Sequence, residues 1–135
     1  MAKSKSKRLP HVGELELALL EHLWTVDEAD VLTAHRAVGR PRDITPNTVG
    51  SALERLHRKG LLTRAKVSHA YRYRARLSRE AFTAQRMLDA LGDTRKLADA
   101  GLLAAFVELV ADEDEASLDR LEALIAEKRS SRGNP

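Results

Sequence analysis

The sequence predicts a mainly α-helical chain with one two-stranded β-hairpin near its middle. Three observations predict it. Alanine and leucine dominate a composition with only 4% aromatic residues, and both favour helix over sheet. Apolar residues recur at spacings of three and four through most of the chain, the period of a helix with one buried face. Only the stretch after Gly60 changes to a period of two, the period of a strand.

The elements follow in order. Residues 1–10 form a basic arm with Lys3, Lys5, Lys7 and Arg8 separated by serines, expected to be disordered. Glu14–Trp24 is a helix with Leu15, Ala18, Leu19, Leu23 and either Leu20 or Trp24 on its apolar face and Glu14, Glu16 and Glu21 outside it. A short helix opens on Asp30 as its N-cap, buries Val31, Ala34 and Val38, and ends at Gly39 and Pro41. Gly39–Asp43 is a loop that carries Arg40 and Arg42.

The third helix has the clearest signals. Thr45 caps it and Pro46 takes the first helical position, where a missing N–H costs nothing. Val49, Ala52, Leu53 and Leu56 make its apolar stripe, and Gly60 closes it. Leu62–Val67 and Tyr71–Leu77 then flank the tip Ser68-His69-Ala70. In the second strand Tyr71, Tyr73 and Ala75 alternate with Arg72, Arg74 and Arg76, giving one apolar and one basic face.

The remainder is helical. Ser78 caps a helix that ends near Gly92. Lys96–Val110 is strongly apolar, and Asp112–Glu115 starts a last helix with Leu118, Leu121, Leu124 and Ile125 on one face. Three helices followed by a hairpin is the order of a winged helix-turn-helix. The expected organisation is a disordered arm at 1–10, a winged-helix DNA-binding domain at 11–78, a helical dimerisation domain at 79–129 and a flexible tail at 130–135.

Charge agrees with that division. Residues 1–79 carry 16 Lys/Arg against 8 Asp/Glu, whereas residues 80–135 carry 7 against 12. A basic first part suits a polyanion. Opposite its apolar stripe the third helix offers Asn47, Thr48, Ser51 and Arg55, side chains able to read base edges in a major groove. Backbone-contact candidates are Arg40, Arg42 and Arg58, then Arg64, Lys66 and His69 at or near the wing tip, and Arg72 and Arg74 on the strand. The C-terminal helices carry more apolar surface than one small chain can easily bury. Leu97, Leu102, Leu103, Phe106, Val107, Val110, Leu118, Leu121, Leu124 and Ile125 are therefore expected at a homodimer interface.

Several functions are disfavoured. The chain has no cysteine, which removes disulfides, thiolate metal sites and cysteine nucleophiles. The five histidines show neither metal-ligand spacing nor a nucleophile partner. The acidic run Asp112–Glu115 lacks the alternation and glycine of a calcium loop. No apolar run approaches the roughly 20 residues of a membrane span. The expectation is a cytoplasmic, non-enzymatic protein without metal or cofactor. A winged-helix module that binds protein instead of DNA remains open.

Val12-Gly13-Glu14-Leu15-Glu16, Leu23-Trp24, Thr45-Pro46-Asn47-Thr48-Val49, Leu56-His57-Arg58-Lys59-Gly60-Leu61-Leu62 and Tyr71-Arg72-Tyr73 follow one another along the chain. This ordered set resembles the penicillinase-repressor family of the BlaI/MecI/CopY type, from about Val12 to Lys128. The resemblance implies a homodimeric repressor with an N-terminal winged helix and a C-terminal dimerisation domain. Its partner would be double-stranded DNA with a palindromic operator, and its targets β-lactam or cell-envelope stress genes. In the β-lactam branch a membrane sensor-protease signals, and the repressor is cut within its dimerisation helix just before a Phe. By position that bond is Ala105–Phe106, with Ala where the best-known repressors have Asn. The copper-responsive branch uses C-terminal cysteines, which this chain lacks. Release by a small ligand is the alternative to proteolysis.

Overall fold

Helix α1 spans Glu14–Val26 in the computed structural model, which describes residues 8–133. Its start is fixed by a side chain from within: the Glu16 carboxylate accepts the Gly13 N–H at 2.8 Å, satisfying one donor that the helix leaves unpaired. Leu19, Leu20 and Leu23 point into the core. Asp30 accepts the Thr33 N–H at 2.8 Å and caps α2, Val31–Ala34. The chain stays coiled beyond α2, as a π turn at His35–Gly39 and a 3-10 turn at Arg40–Arg42.

Gly39 therefore does not stop the helix, contrary to the sequence expectation, and the loop expected at Gly39–Asp43 is largely a helical turn. Gly39 is buried with an ordinary helical φ of −76°. A β-carbon there would come within 2.6 Å of His35, 2.9 Å of Val49 and 3.1 Å of the Ile44 carbonyl. Glycine is needed for close approach, because it lets this coil lie directly on the next helix.

That helix, α3, spans Pro46–Arg58, with the Thr45 hydroxyl accepting the Thr48 N–H at 3.2 Å. Gly60, at φ +82°, turns the chain out of it. Strands β1 (Leu62–Val67) and β2 (Ala70–Ala75) pair antiparallel, with Leu62 opposite Ala75 and Val67 opposite Ala70. The tip is thus the two-residue turn Ser68-His69, one residue shorter than expected, with Ser68 at φ +63°. On its other edge β2 exchanges two backbone hydrogen bonds with Ala29, from Ala29 N–H to the Tyr73 carbonyl and back. That bridge anchors the hairpin to the α1–α2 connection.

Helix α4, Arg79–Ala90, belongs with the same unit, so the first compact body ends at Ala90 and not at residue 78. The reason is Phe82, 2% exposed, whose ring lies 5.5 Å from that of Trp24. The Trp24 indole N–H in turn donates to the Leu77 carbonyl at 2.9 Å. The arm also reaches this helix: the Leu9 N–H donates to Asp89 at 2.9 Å, and Leu9 and Val12 pack on the core. Residues 1–7 of the expected disordered arm lie outside the described residues.

The second unit begins at Leu91. It holds a 3-10 turn at Thr94–Ala98 and helices α5 (Ala100–Glu113) and α6 (Glu115–Gly133). The acidic run is divided between them. Asp112 and Glu113 end α5, while Asp114 accepts the Ala116 N–H at 3.1 Å and caps α6. A second carboxylate, Asp99, accepts from Gly101 and Leu102 and caps α5, which breaks the apolar stretch expected from Lys96. Helix α6 continues to Gly133 through most of the expected tail, whose last two residues lie outside the described residues. Among the described residues of this unit, none is buried.

Candidate nucleic-acid interface

Helix α3 has two opposed faces because its apolar residues recur at three and four. Val49, Ala52, Leu53 and Leu56 are fully buried against α1, α2 and the hairpin. Asn47, Thr48, Ser51, Arg55 and Arg58 are exposed. Asn47, Ser51, Glu54, Arg55 and Arg58 line one open groove, together with Val31, Pro46 and Gly50. Three of the four expected base-reading residues thus share a surface. Thr48 stands beside it at the helix start, held by the Thr45 hydroxyl at 3.1 Å.

The basic residues are less free than the sequence suggests. The Arg55 Nε donates to Glu16 at 3.2 Å. Glu54 lies 3.9 Å from Arg58 and is paired closely with Arg64. The Arg64 guanidinium also stacks 4.1 Å from the Tyr71 ring centre, joining the groove to the wing. Arg72 and Arg74 gather elsewhere, on the carboxylates at the α1–α2 connection: Arg72 to Glu28 at 3.5 Å, Arg74 to Glu28 at 3.4 Å and to Asp27 at 3.7 Å. Arg42 donates to the Val38 carbonyl at 3.1 Å. Arg40, Lys66 and His69 are exposed. Lys66 has only a loose 6.0 Å approach to the Tyr71 ring.

Sequence reasoning missed the acidic partners, Glu16 above all. It was expected outside the α1 apolar face, yet it is 4% exposed. Two signals point to it: its place three residues after Gly13, and its spacing of three, four and seven from Leu19, Leu20 and Leu23. Its carboxylate accepts from Lys59 at 2.8 and 3.0 Å as well as from Gly13 and Arg55. Burial alone would raise the Glu16 carboxyl, but the hydrogen bonds from Lys59, the Gly13 N–H and Arg55 outweigh it and hold it below its ordinary value.

The ten residues expected to pair two chains are all incompletely covered. Leu97, Leu102, Leu103, Phe106, Val107, Leu124 and Ile125 are exposed, and Val110, Leu118 and Leu121 are half-buried. Ala105 and Phe106 lie in the middle of α5, both exposed.

This order of elements, with the two-faced third helix, is that of a winged helix followed by a helical pair. A family model described as penicillinase repressor matches residues 12–127. The chain belongs to that family. Proteins named Transcriptional regulator BlaI from two strains of Mycobacterium tuberculosis are each 35% identical over 132 residues, covering 94% of this chain and 91% of theirs. A solved structure titled as the AntR antimony-specific transcriptional repressor aligns at 22% identity and a TM-score of 0.42, covering 62% of this chain and 68% of that one. Among the described residues of this penicillinase-repressor family member, no helix is long and apolar enough to cross a membrane.

Proposed function

We propose that this chain is a DNA-binding transcriptional repressor that acts in the cytoplasm as a homodimer on a dyad-symmetric operator. The observation that carries the reading is the two-sided α3. Four fully buried residues fix the helix in the domain while Asn47, Thr48 and Ser51 stand exposed on it. A helix that enters a major groove needs this combination. Membership of a family whose named relatives are transcriptional regulators supports it. In this reading the first unit reads a half-site and the exposed apolar residues of α5 and α6 join two copies. Two joined copies gain affinity through effective concentration, and their half-sites lie about one helical turn apart.

Release acts at the joint. The Ala105–Phe106 bond lies inside α5, which a protease must first open. Ala105, standing where the best-known repressors have Asn, favours a small ligand acting at the joint over cleavage driven by a membrane sensor-protease.

The test is selection of a preferred duplex from a randomised library by the full chain, followed by titration of that duplex and of mixed-sequence DNA at several salt concentrations. Two chains per duplex and a steep salt dependence are expected. Thr48→Ala should cost about 1–3 kcal/mol on the selected duplex and little on mixed DNA. A chain with no salt-dependent affinity for any duplex would be a winged-helix protein-interaction module instead.

A further inference from the structure

Glu16 is an unusual residue to find beneath a nucleic-acid surface, since a buried carboxylate adds negative charge where phosphates would approach. Its geometry supplies a reason. Of the Arg55 nitrogens, it is Nε that donates to Glu16, at 3.2 Å. The Arg55 side chain is nevertheless half exposed, and Arg55 lines the groove with Asn47 and Ser51. A guanidinium held through Nε has its plane fixed while its two terminal nitrogens stay available, the fork that pairs with two acceptors on a guanine edge. Lysine has no equivalent of that grip.

Glu16 is itself well fixed. It is 4% exposed and receives the Gly13 N–H at 2.8 Å, so the start of α1 sets its position. Lys59 donates to both its oxygens, at 2.8 and 3.0 Å, and to the His11 carbonyl at 2.7 Å. Lys59 follows the last residue of α3, so the carboxylate spans that helix from Arg55 to its end. The surplus positive charge of two cations on one carboxylate offsets the repulsion a phosphate would meet.

We infer that Glu16 is a positioning residue for sequence readout: it holds Arg55 through Nε so that the guanidinium presents its outer edge to a base bearing two acceptors. This rests on the DNA-binding reading above and adds to it a residue that touches no DNA.

The test uses the full chain, a duplex selected by it from a randomised library, and a mixed-sequence duplex. The readout is the ratio of the two Kd values. Glu16→Gln is expected to lower that preference about tenfold, the worth of a bidentate base contact, and Arg55→Ala to lower it equally. The double variant should lose no more than Arg55→Ala alone. Arg55→Lys keeps the charge at an exposed position, so folding is not at issue, and is expected to lose the preference as well. The Arg55 Nε–H proton resonance should exchange slowly with water in the wild type and rapidly in Glu16→Gln. Additive losses in the double variant, a preference retained by Arg55→Lys, or a Glu16→Gln protein that melts earlier yet keeps its preference would each overturn the inference while leaving the repressor reading intact. A wild-type chain that binds no duplex would overturn both.

Discussion

Residues 8–90 and residues 91–133 solve the same problem in opposite ways. The first unit encloses a core of Leu, Val, Ala, Tyr and Phe side chains, with eight of its larger ones at most 2% exposed. Most of the cations along its candidate interface have a partner in the same unit: Arg55 with Glu16, Arg64 with Glu54, Arg72 and Arg74 with Glu28. The second unit is at least as apolar along α5, yet among its described residues Phe106, Val107, Leu124 and Ile125 keep 43–60% of their surface exposed. Local chemistry is complete in both, since Asp30 and Thr45 cap helices of the first unit and Asp99 and Asp114 those of the second. The difference lies in packing. Two helices that leave their larger apolar residues this exposed gain little from the hydrophobic effect within one chain, which is why the proposed dimer is placed on α5 and α6.

The largest expected effect comes from spoiling that proposed pairing. Phe106→Asp puts a carboxylate in the middle of the α5 apolar surface, where pairing would bury it without a partner. Sedimentation should show a monomer at micromolar concentration, and affinity for a two-half-site duplex should fall by about 10²–10⁴-fold as the linkage between half-sites is lost. The first unit should keep its fold by circular dichroism. A variant that stayed dimeric and bound normally would place the pairing surface elsewhere and break the comparison.

Next in size is a pair of leucine truncations, one in each unit. Leu53, fully buried in α3, should cost about 2–5 kcal/mol when cut to alanine, the same at any protein concentration. Leu124, 60% exposed in α6, should cost an amount that grows as the chain is concentrated through its dimerisation range. Urea unfolding over a hundredfold range of concentration reads both. Two concentration-independent losses would mean that the second unit packs within its own chain.

The same contrast explains what the sequence made legible. The α3 helix was readable to its first residue, because Thr45-Pro46 and the stripe from Val49 to Leu56 are local signals that no distant contact opposes. The hairpin was readable in type but off by one residue at its tip, since a period of two fixes a strand's faces but not its first hydrogen bond. Glu16 was misplaced because its partners Arg55 and Lys59 lie 39 and 43 residues away. In a window around α1 only its spacing from Leu19, Leu20 and Leu23 and its place three residues after Gly13 distinguish a buried carboxylate from a solvated one. The two-way division of Asp112–Glu115 was hidden for another reason: a run of carboxylates can end one helix and cap the next, and only Asp114 does the capping.

The acid limb of stability offers a third test, inside the first unit alone. The folded carboxyl of Glu16 lies below its ordinary value of 4.5. Its contribution is therefore fully present above that value and is lost as pH falls through the folded pKa. Glu16→Gln should destabilise the chain by about 1–3 kcal/mol near neutral pH and by progressively less in acid. Part of the acid slope will survive, because the Thr33 N–H and hydroxyl hold Asp30 low as well. A variant whose deficit stayed constant down to pH 3 would show that Glu16 stabilises by packing and not by charge.

The smallest effect separates the cations that the first unit has already paired from those it leaves for a partner. Lys66 is exposed near the wing tip with no carboxylate paired to it among the described residues, whereas Arg64, two residues earlier, pairs closely with Glu54 and stacks on Tyr71. Sequence alone makes them equivalent backbone contacts. A lysine that reaches a phosphate releases about one counterion, so Lys66→Ala should flatten the plot of log affinity against log salt by about one unit on any duplex. The double replacement Glu54→Gln with Arg64→Gln leaves net charge unchanged and removes only the pair. If Glu54 and Arg64 stay together on DNA, the slope for mixed-sequence duplex should stay within experimental error of the wild type. If Arg64 instead leaves Glu54 for a phosphate, the double variant should flatten as Lys66→Ala does. The first unit would then be as open to its partner along the wing as the second unit is along α5, and the contrast between them would narrow to the hydrophobic core.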